Sequence, residues 1–292
     1  MIFNIETDYF SEAYEALLRT LLKNPEYQSA PREQKINEIT NCKFTIHKPE
    51  YCFYANERRS SQFKYIAAEL LWYLSGDKSV DFISQFSKFW KKLENCDDTV
   101  NSNYGWLLFY EKYAPVWTTQ WQWAFDSLYN DKDTRQAVMH FNLPKHQFLD
   151  NKDFVCTMYG DFLIRDNKLH FTIHMRSNDA ILGLPTDIPF FCILQMNMLN
   201  CLKKERYPDL ELGTYTHFVN SMHLYERNFQ LVNEMLEHEF YAVKINPDAD
   251  EIINDKGCHS SFIERFIQAY HLNVTPDIHT KFEKFIWESL NK

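Results

Sequence analysis

The chain has 292 residues, of which 45% are hydrophobic and 24% are charged, and it contains no low-complexity tract, so we expect an ordinary folded globule. The net charge of −9 argues against a general nucleic-acid binder, which needs a basic face to neutralise phosphates. The apolar runs are too short to span a membrane and no secretory signal is recognisable, which favours a cytoplasmic protein. The seven cysteines favour reduced thiols over disulfides, and no Cys or His spacing typical of a metal site occurs.

The N-terminal part of the chain predicts a helix, a loop and a strand, in that order. Apolar residues recur at helical spacing over residues 9–22. Residues 25–31 begin and end with proline and are expected to form a loop. A short strand is expected around residues 43–47, just before Pro49.

The clearest helix pattern covers residues 62–75, and Gly76 follows it at the position of a C-terminal cap. Glu69 is the exception on this helix, because it projects between two aromatic residues at the edge of the apolar sector. A carboxylate there is either a solvated edge residue or a partly buried acid with a raised pKa. Periodicity alone favours the solvated edge.

A hairpin is predicted over residues 154–176, with Asp166-Asn167 as the turn signal between two strand-like runs. One face of the second strand is apolar and contains Leu169, Phe171, Ile173 and Met175. The other face is polar and contains His170, Thr172, His174 and Arg176. A polar face of this length requires water, a partner subunit or a ligand site against it.

The remaining elements are predicted to be mainly helical. Thr186 or Asp187 suits the N-cap of a helix that runs to about Lys204, with Pro189 tolerated in its first turn. Further helices are predicted over residues 221–236, 260–269 and 280–290, and a polar loop over residues 248–257. Strands mixed with helices, without a regular βαβ rhythm, indicate an α+β domain around a mixed sheet.

Four ordered blocks of the chain are similar to segments of the thymidylate synthase family. MRSNDAILGLPTDIPFF (175–191) resembles the family's nucleotide-binding signature, which is close to RSxDxxLGLPFNI. AELLWYLSGD (68–77), DTRQAV (133–138) and SMHLYERNF (221–229) resemble its ELLWFLRGD, SRR and DAHIY segments. The matched blocks lie within about residues 60–230, whereas residues 237–292 diverge. The resemblance implies a thymidylate synthase-like fold, with one catalytic domain over residues 1–292 and the mixed sheet at a dimer interface.

The details of these blocks are closer to the deoxycytidylate hydroxymethylases of phages. FVCTMYGDFLIRDNK (154–168) and NSNYGW (101–106) resemble that branch. Cys156 stands between Val155 and Thr157, as hydroxymethylases tend to have it, and not in the Pro-Cys-His context of thymidylate synthases. Asp187 occupies the position of the base-reading asparagine of LPFNI, and aspartate there is the hydroxymethylase character.

The resemblance implies catalytic roles for four residues. Cys156 would add to C6 of a pyrimidine, with the cation of Arg176 close enough to favour the thiolate. Asp187 would bind the ring nitrogen and the exocyclic amine of cytosine, although without the family blocks it would be interpreted as a helix cap. Glu69 would organise water and proton transfer, and Tyr104 would lie near the reacting base.

The resemblance also implies a set of substrate-binding residues. Arg176 and Ser177 would hold the nucleotide phosphate, and Arg135 would reach a phosphate across the dimer interface. The family usually has a second arginine after that one, where this chain has Gln136. Arg32 is either an N-terminal phosphate ligand or a solvated surface arginine. The other members of the set are Asp179 near the folate, and His223 and Tyr225 near the sugar hydroxyl. If residues 221–236 form a helix, His223 and Tyr225 lie on different sides of it.

The implied reaction joins a pyrimidine nucleoside monophosphate, with ribose or deoxyribose left open, to the one-carbon unit of 5,10-methylenetetrahydrofolate. Addition of water at the end gives a hydroxymethyl nucleotide, which the branch favours, whereas hydride transfer gives a methyl nucleotide. Asp161 replaces a glutamine common to both branches, and the sequence ends in KFIWESLNK and not in the family's apolar tail. A nucleotide-binding member without catalysis is one alternative, which Gln136, Asp161 and the missing tail motivate. A pyrimidine methylase of the same family is the other, although the missing tail disfavours hydride transfer.

Overall fold

A mixed β-sheet forms the centre of the computed structural model, which describes residues 3–113, 115, 118–245, 252–254 and 262–291. The strands are β1 (Asn4–Thr7), β2 (Tyr27–Ser29), β3 (Ile36–Ile46), β4 (Phe53–Ala55), β5 (Val138–His140), β6 (Thr157–Arg165), β7 (Lys168–Met175), β8 (Asn178–Asp179), β9 (Glu211–Tyr225) and β10 (Tyr241–Val243). The helices are α1 (Phe10–Lys23), α2 (Phe63–Ser75), α3 (Phe89–Leu93), α4 (Gln120–Asn130), α5 (Leu184–Glu205), α6 (Phe229–Met235), α7 (Phe262–Leu272) and α8 (Lys281–Leu290).

The central sheet combines parallel and antiparallel pairs. Its order is β1-β3-β9-β7-β6-β5, with β2 beside β3 and β8 beside β9. The pairs β1–β3, β7–β9 and β8–β9 are parallel, whereas β3–β9, β6–β7 and β5–β6 are antiparallel. β4 and β10 form a separate antiparallel pair. A mixed sheet flanked by helices is the predicted α+β architecture, which is confirmed.

The two faces of the central sheet differ in burial. On β7, Leu169, Phe171 and Ile173 are fully buried, whereas the residues between them are half-exposed, as the alternation predicts. The long helix α5 packs on the buried face, where Phe191 meets Phe171 edge to face at 6.4 Å. The hydrophobic core therefore lies between this face of the sheet and α5.

The elements with strong local signals form where they were predicted. The patterns over residues 9–22 and 62–75 correspond to α1 and α2, and Gly76 caps α2 with a φ of 70°. The turn residues Asp166 and Asn167 have φ values of 49° and 58°, the left-handed conformation of a tight hairpin. The C-terminal patterns over 260–269 and 280–290 correspond to α7 and α8.

Three predicted elements near the sheet were wrong or incomplete. The helix over residues 221–236 was wrong, because β9 extends to Tyr225, held between β3 on one side and β8 on the other, and only α6 is helical. The predicted strand at 43–47 is the end of the longer strand β3, and the predicted loop at 25–31 contains β2, which pairs with β3. For β9 and β3 pairing with strands distant in sequence decides the conformation, whereas β2 forms by pairing with its neighbour β3.

The C-terminal part of the chain packs on the same core. Helices α7 and α8 both contact α2, and the amide of Asn197 on α5 bonds to the backbone of Ile253. The predicted loop over 248–257 lies outside the described residues except for 252–254. Across the described ranges, every helix is too short or too polar to cross a lipid bilayer.

Candidate active site

Cys156 lies immediately before β6, and the ends of β6 and β7 bring Arg176 beside it. The backbone N–H of Arg176 donates to the Cys156 carbonyl at 2.9 Å, and its Nη2 lies 3.4 Å from Sγ. The same guanidinium donates to the carbonyl oxygens of Phe154 and Val155, which holds it in place. Burial raises the pKa of the Cys156 thiol, and the Arg176 cation opposes only part of that rise. The predicted proximity is therefore present, but in the free protein burial outweighs the cation.

Glu69 projects from α2 into the protein interior, with 6% of its surface exposed. The hydroxyl of Tyr65, one helical turn earlier, donates to Glu69 Oε1 at 2.7 Å. Burial raises the pKa of Glu69 to about 7, and the bond from Tyr65 opposes the rise. The interpretation of Glu69 as a solvated edge residue was wrong, because α5, α7 and α8 pack around α2 and leave that edge inside the core.

Asp187 lies within the first turns of α5 and does not cap it. The helix begins at Leu184 after Gly183, and the N–H of Asp187 already donates to the Gly183 carbonyl at 2.9 Å. The N-cap interpretation, for Asp187 and for Thr186, was therefore wrong. Burial raises the pKa of Asp187 well above its usual value, and the charge of Glu69 raises it further, while Asn178 opposes the rise. Asp187 and Glu69 are two acids in each other's electric field.

Tyr104 lies within electrostatic reach of both Cys156 and Asp187. Its side chain is buried between α2 and α5, where it stacks on Tyr73 at 5.3 Å, and its hydroxyl accepts a bond from Thr157 at 2.9 Å. Burial raises the pKa of Tyr104, and the charges of Asp187 and Cys156 add to this effect. The structure thus brings the four predicted catalytic residues, which lie on four separate stretches of the chain, into one cluster.

A buried aspartate ties together the two loops that supply Tyr104 and Cys156. Asp153 accepts hydrogen bonds from the backbone N–H of Ser102 at 2.6 Å and from the Ser102 hydroxyl. Burial raises the pKa of Asp153 and these bonds oppose the rise. Asp153 therefore positions the tyrosine loop relative to the cysteine loop.

His223 and Tyr225 lie at the end of β9, on the same face. Residues two apart on a strand share a face, and the two rings meet edge to face at 5.1 Å. The expectation that they lie on different sides was wrong, because it assumed a helix. The guanidinium of Arg227 lies 3.8 Å from the centre of the Tyr225 ring, so the chain adds a cation at this end of β9 that the sequence comparison had not indicated.

Ser177 and Asp179 lie between Arg176 and α5, where β8 pairs with the end of β9. Ser177 is half-buried, and Asp179 lies opposite His223 in the register of the two strands. Asp179 Oδ1 accepts from the backbone N–H groups of Ile181 at 2.8 Å and Leu182 at 3.3 Å. One oxygen of Asp179 therefore stabilises the turn into α5.

Arg32 and Arg135, the two remaining predicted phosphate ligands, are both exposed. They differ in their electrostatic effect on the Cys156 thiol. Arg32 lies in a left-handed turn (φ 51°) before β3, and its charge lowers the pKa of Cys156, so it is within electrostatic reach of the site. Arg135 lies on the turn between α4 and β5, where it lines a surface depression of about 470 Å³ together with Gln136. The structure brings Arg32 toward Cys156, whereas Arg135 faces outward.

Three residues at the site were not predicted from the sequence: Tyr65, Asp153 and Asn178. Tyr65 precedes Glu69 by four residues, a spacing that places both on one helical face and that indicates the pair in retrospect. Asn178 occupies the variable position of the RSxD pattern, and Asp153 precedes the matched segment, so no motif indicated either.

The chain is similar to known proteins in its family, in individual sequences and in fold. The family model described as thymidylate synthase matches residues 12–272. The deoxycytidylate 5-hydroxymethyltransferase of Enterobacteria phage T4 is 32% identical over 177 residues, which are 58% of this chain and 70% of that protein. The deoxyuridylate hydroxymethyltransferase of Bacillus phage SP01 is 25% identical over 258 residues, which are 84% of this chain and 64% of that protein.

Among solved structures, the thermostable thymidylate synthase A from Bacillus subtilis is similar in fold. The TM-score is 0.65 at 19% sequence identity, and the match covers 82% of this chain and 89% of that chain. The predicted fold type is thereby confirmed.

Proposed function

The chain belongs to the thymidylate synthase family, and we propose that it transfers a hydroxymethyl group to C5 of a pyrimidine nucleoside monophosphate, with dCMP as the preferred substrate. The relatives named above include hydroxymethyltransferases that differ in the base, cytosine in one and uracil in the other. The observation that supports our choice of base is the buried acid Asp187, which lies within electrostatic reach of Cys156 and of Glu69.

Cys156 is the proposed nucleophile. Its Sγ adds to C6 of the base, which makes C5 electron-rich, and the Arg176 guanidinium at 3.4 Å stabilises the thiolate that attacks. Because burial raises the pKa of the thiol, we expect the thiolate to form only when the pyrimidine is bound and its C6 can accept the sulfur. The attack on C6 then requires the proton to leave for a neighbouring acceptor.

Asp187 is the proposed base-reading residue. The raised pKa favours the protonated form of this carboxyl group, which offers one donor and one acceptor. The donor matches the unprotonated ring nitrogen of cytosine and the acceptor matches the exocyclic amine. This hydrogen-bond pair supports the choice of cytosine.

Glu69 is the proposed acid–base residue for the final step. A pKa of about 7 lets it accept a proton from water and return it at neutral pH. Water that gives up its proton adds to the one-carbon unit on C5 and produces the hydroxymethyl group. This fits a hydroxymethyl product, and the choice of that product over a methyl group is supported by the two hydroxymethyltransferase relatives, since thymidylate synthases have a glutamate at the same position.

The proposed one-carbon donor is 5,10-methylenetetrahydrofolate, which supplies a methylene group at the oxidation level of formaldehyde. Asp179 fits a role in holding it, because its bonds to Ile181 and Leu182 use only Oδ1 and leave Oδ2 for a ring N–H of a pterin. Arg176, Ser177 and Arg32 are the proposed phosphate ligands within the subunit. His223 and Tyr225 are proposed to bind the sugar hydroxyl.

We further propose that the protein is a homodimer that acts in the cytoplasm as a single-domain subunit. The half-exposed face of the central sheet contains a row of stacked rings, in which His174 lies 4.3 Å from Tyr159 and 5.2 Å from Phe218. A second copy would cover this face and would bring its Arg135 to the phosphate. Gln136 would then offer a neutral donor in place of the family's second arginine.

The decisive experiment is to incubate the purified protein with CMP, dCMP and dUMP side by side, each with methylenetetrahydrofolate labelled in its methylene carbon. We expect label to enter dCMP fastest and mass spectrometry to show a hydroxymethyl group. Dihydrofolate is followed by its absorbance, since only hydride transfer produces it. Dihydrofolate that accumulates in step with substrate loss would identify a methylase, and binding without incorporation would identify a nucleotide-binding protein without catalysis.

A further inference from the structure

Asn178 has an unusual hydrogen-bonding position behind the proposed base-reading residue. Its side chain is 3% exposed, and its Oδ1 has no hydrogen-bond partner among the residues that the structure describes. A buried carbonyl oxygen without a donor is energetically unfavourable, so native proteins rarely leave one. The surroundings of this amide therefore need an explanation.

The amide of Asn178 lies between Asp187 and a pair of buried polar side chains. Its Nδ2 is 3.2 Å from Nε2 of His217, and Nδ1 of His217 is 2.9 Å from the hydroxyl of Tyr215. On the other side, the Asn178 side chain lies close enough to the Asp187 carboxyl group to lower its pKa. His217 and Tyr215 are fully buried. The four side chains form a row from the core to the base-reading acid.

Gly183 shows how closely the row approaches the start of α5. A Cβ placed on Gly183 would lie 2.4 Å from Asn178 Oδ1 and 3.4 Å from Asp187 Oδ2. The Asn178 oxygen therefore lies so close to the Gly183 backbone that only glycine leaves room for it. As placed, this oxygen has no donor among the described residues, and Nδ2 also lies 3.0 Å from Met175 Sδ.

The two ends of an asparagine amide are nearly indistinguishable in shape, so their assignment follows from the hydrogen bonds they make. If the amide is turned over, its oxygen accepts from a hydrogen on His217 Nε2, and its NH₂ group donates to Asp187. His217 Nδ1 then accepts from the Tyr215 hydroxyl. Burial lowers the pKa of His217 to about 3, so the ring is neutral and carries the one hydrogen that this arrangement requires.

We propose that Asn178 is a positioning residue that determines the base specificity of Asp187, through a relay of hydrogen bonds from Tyr215 and His217. This inference rests on the proposed function, in which Asp187 binds the base. The donated N–H from Asn178 makes the nearer carboxyl oxygen of Asp187 an acceptor, and so places the acid's proton on the other oxygen. A neutral carboxyl group whose proton can move between its oxygens fits cytosine and uracil alike, because each base pairs one donor with one acceptor. In this relay the oxygen away from Asn178 faces the ring nitrogen, so that fixing the proton there leaves only the cytosine pattern satisfied.

The test compares the ratio of kcat/KM for dCMP to that for dUMP in the wild type and in Asn178→Ala. We expect the ratio to fall about tenfold, since removal of the amide frees the proton of Asp187. The matched control is Asn197→Ala, which removes a second buried asparagine, on α5, whose amide bonds to the backbone of Ile253 and to Cys201 Sγ. That control should lower stability and leave the ratio unchanged.

Tyr215→Phe provides a second variant that deletes a single hydroxyl. Without this hydroxyl, His217 can carry its hydrogen on Nδ1 and accept a hydrogen bond at Nε2 from the NH₂ group of Asn178. The Asn178 carbonyl oxygen then turns toward Asp187 in part of the molecules. The ratio should fall in the same direction by about threefold. If Asn178→Ala does not fold, Tyr215→Phe decides, and an unchanged ratio in the folded variants overturns the inference.

Failure of the proposed function gives a different result. A wild-type protein that forms no product from either nucleotide contradicts the enzymatic proposal, but the relay still predicts tighter binding of dCMP than of dUMP. Calorimetric titration with each nucleotide measures that preference without turnover. A binding preference that is equal in the wild type and Asn178→Ala overturns the inference about Asn178 alone.

Discussion

Tyr65 donates its hydroxyl hydrogen to Glu69 from one turn earlier on α2, at 2.7 Å. Trp90 in turn donates its indole N–H to the Tyr65 hydroxyl at 2.9 Å. The bond from Tyr65 favours the charged form of Glu69, whereas burial disfavours it and has the larger effect, so the pKa is raised to about 7. Glu69 therefore changes its charge in the pH range in which we expect the enzyme to act.

Tyr65→Phe removes that hydroxyl and should raise the pKa of Glu69. If the ionised carboxylate accepts the proton of water, kcat for hydroxymethyl formation rises with pH through about 7 in the wild type. The variant should shift the midpoint of this rise upward by about one pH unit and recover activity at high pH. Tyr207→Phe, whose hydroxyl bonds to backbone carbonyls of α4, is the control and should keep the wild-type midpoint. An equal loss at every pH in Tyr65→Phe would argue for a purely structural tyrosine.

Glu69→Gln should stabilise the protein at alkaline pH while it abolishes hydroxymethyl formation. Because the folded-state pKa of Glu69 is raised from 4.5 to about 7, the folded state binds more protons than the unfolded state between these values. The free energy of unfolding therefore falls as pH rises from 4.5 through about 7. At pH 8 this loss amounts to about 3 kcal/mol. Glutamine has no such dependence. Urea unfolding should show Glu69→Gln more stable than wild type at pH 8 and similar near pH 4, and a variant less stable at pH 8 would contradict the burial argument.

Cys156→Ala should abolish release of tritium from C5 of labelled dCMP, a partial reaction that needs only addition at C6. We expect a loss of about four orders of magnitude or more, because no other group supplies the covalent bond. Nucleotide binding should remain, since Arg176 is held by the backbone carbonyls of Phe154 and Val155. Cys96→Ala replaces an exposed thiol and is the matched control. Tritium release that persists in Cys156→Ala would refute the assignment of the nucleophile.

Asp187→Asn should shift the preference from cytosine toward uracil. An amide offers an N–H donor and a carbonyl acceptor in fixed positions, which fit the O4 and N3–H of uracil. We expect the ratio of kcat/KM for dCMP to that for dUMP to fall by about tenfold to a hundredfold, measured with both nucleotides under the same conditions. A ratio equal to that of the wild type would show that Asp187 does not contact the base.

The sequence was sufficient for elements whose signals are local. The spacing of α1 and α2, the cap at Gly76 and the turn at Asp166-Asn167 depend on neighbours within a few residues, and each formed as predicted. β9 was missed at its end because its conformation depends on hydrogen bonds to β3, which lies far away in sequence. Burial of Glu69 was missed for the same reason, because the helices that cover α2 come from the other end of the chain.

In the site, too, some residues are indicated by a sequence motif and others only by their contacts in three dimensions. Cys156 and Asp187 could be singled out only through the ordered family blocks, because alone each fits an ordinary buried thiol or helix cap. Asn178 could not be predicted, since its importance lies in an approach to Gly183 and His217 that no spacing in the sequence encodes. The ordered blocks identified the parts of the site, and the fold revealed which side chains position them.

Arg135 provides the final prediction, since it is exposed and its proposed role needs a second copy of the chain. If each site joins Cys156 of one subunit to Arg135 of the other, then Arg135→Ala and Cys156→Ala homodimers are each impaired at both sites. Mixing the two variants, with reversible unfolding to exchange subunits, yields heterodimers in which one site has both residues intact. Random pairing makes half of the dimers mixed, so activity should return to about one quarter of the wild type. Lys145→Ala, which replaces an exposed cation paired with Glu111, serves as the control in place of Arg135→Ala. That variant should be active before mixing, and Arg135→Ala mixtures that stay inactive would place Arg135 outside the site.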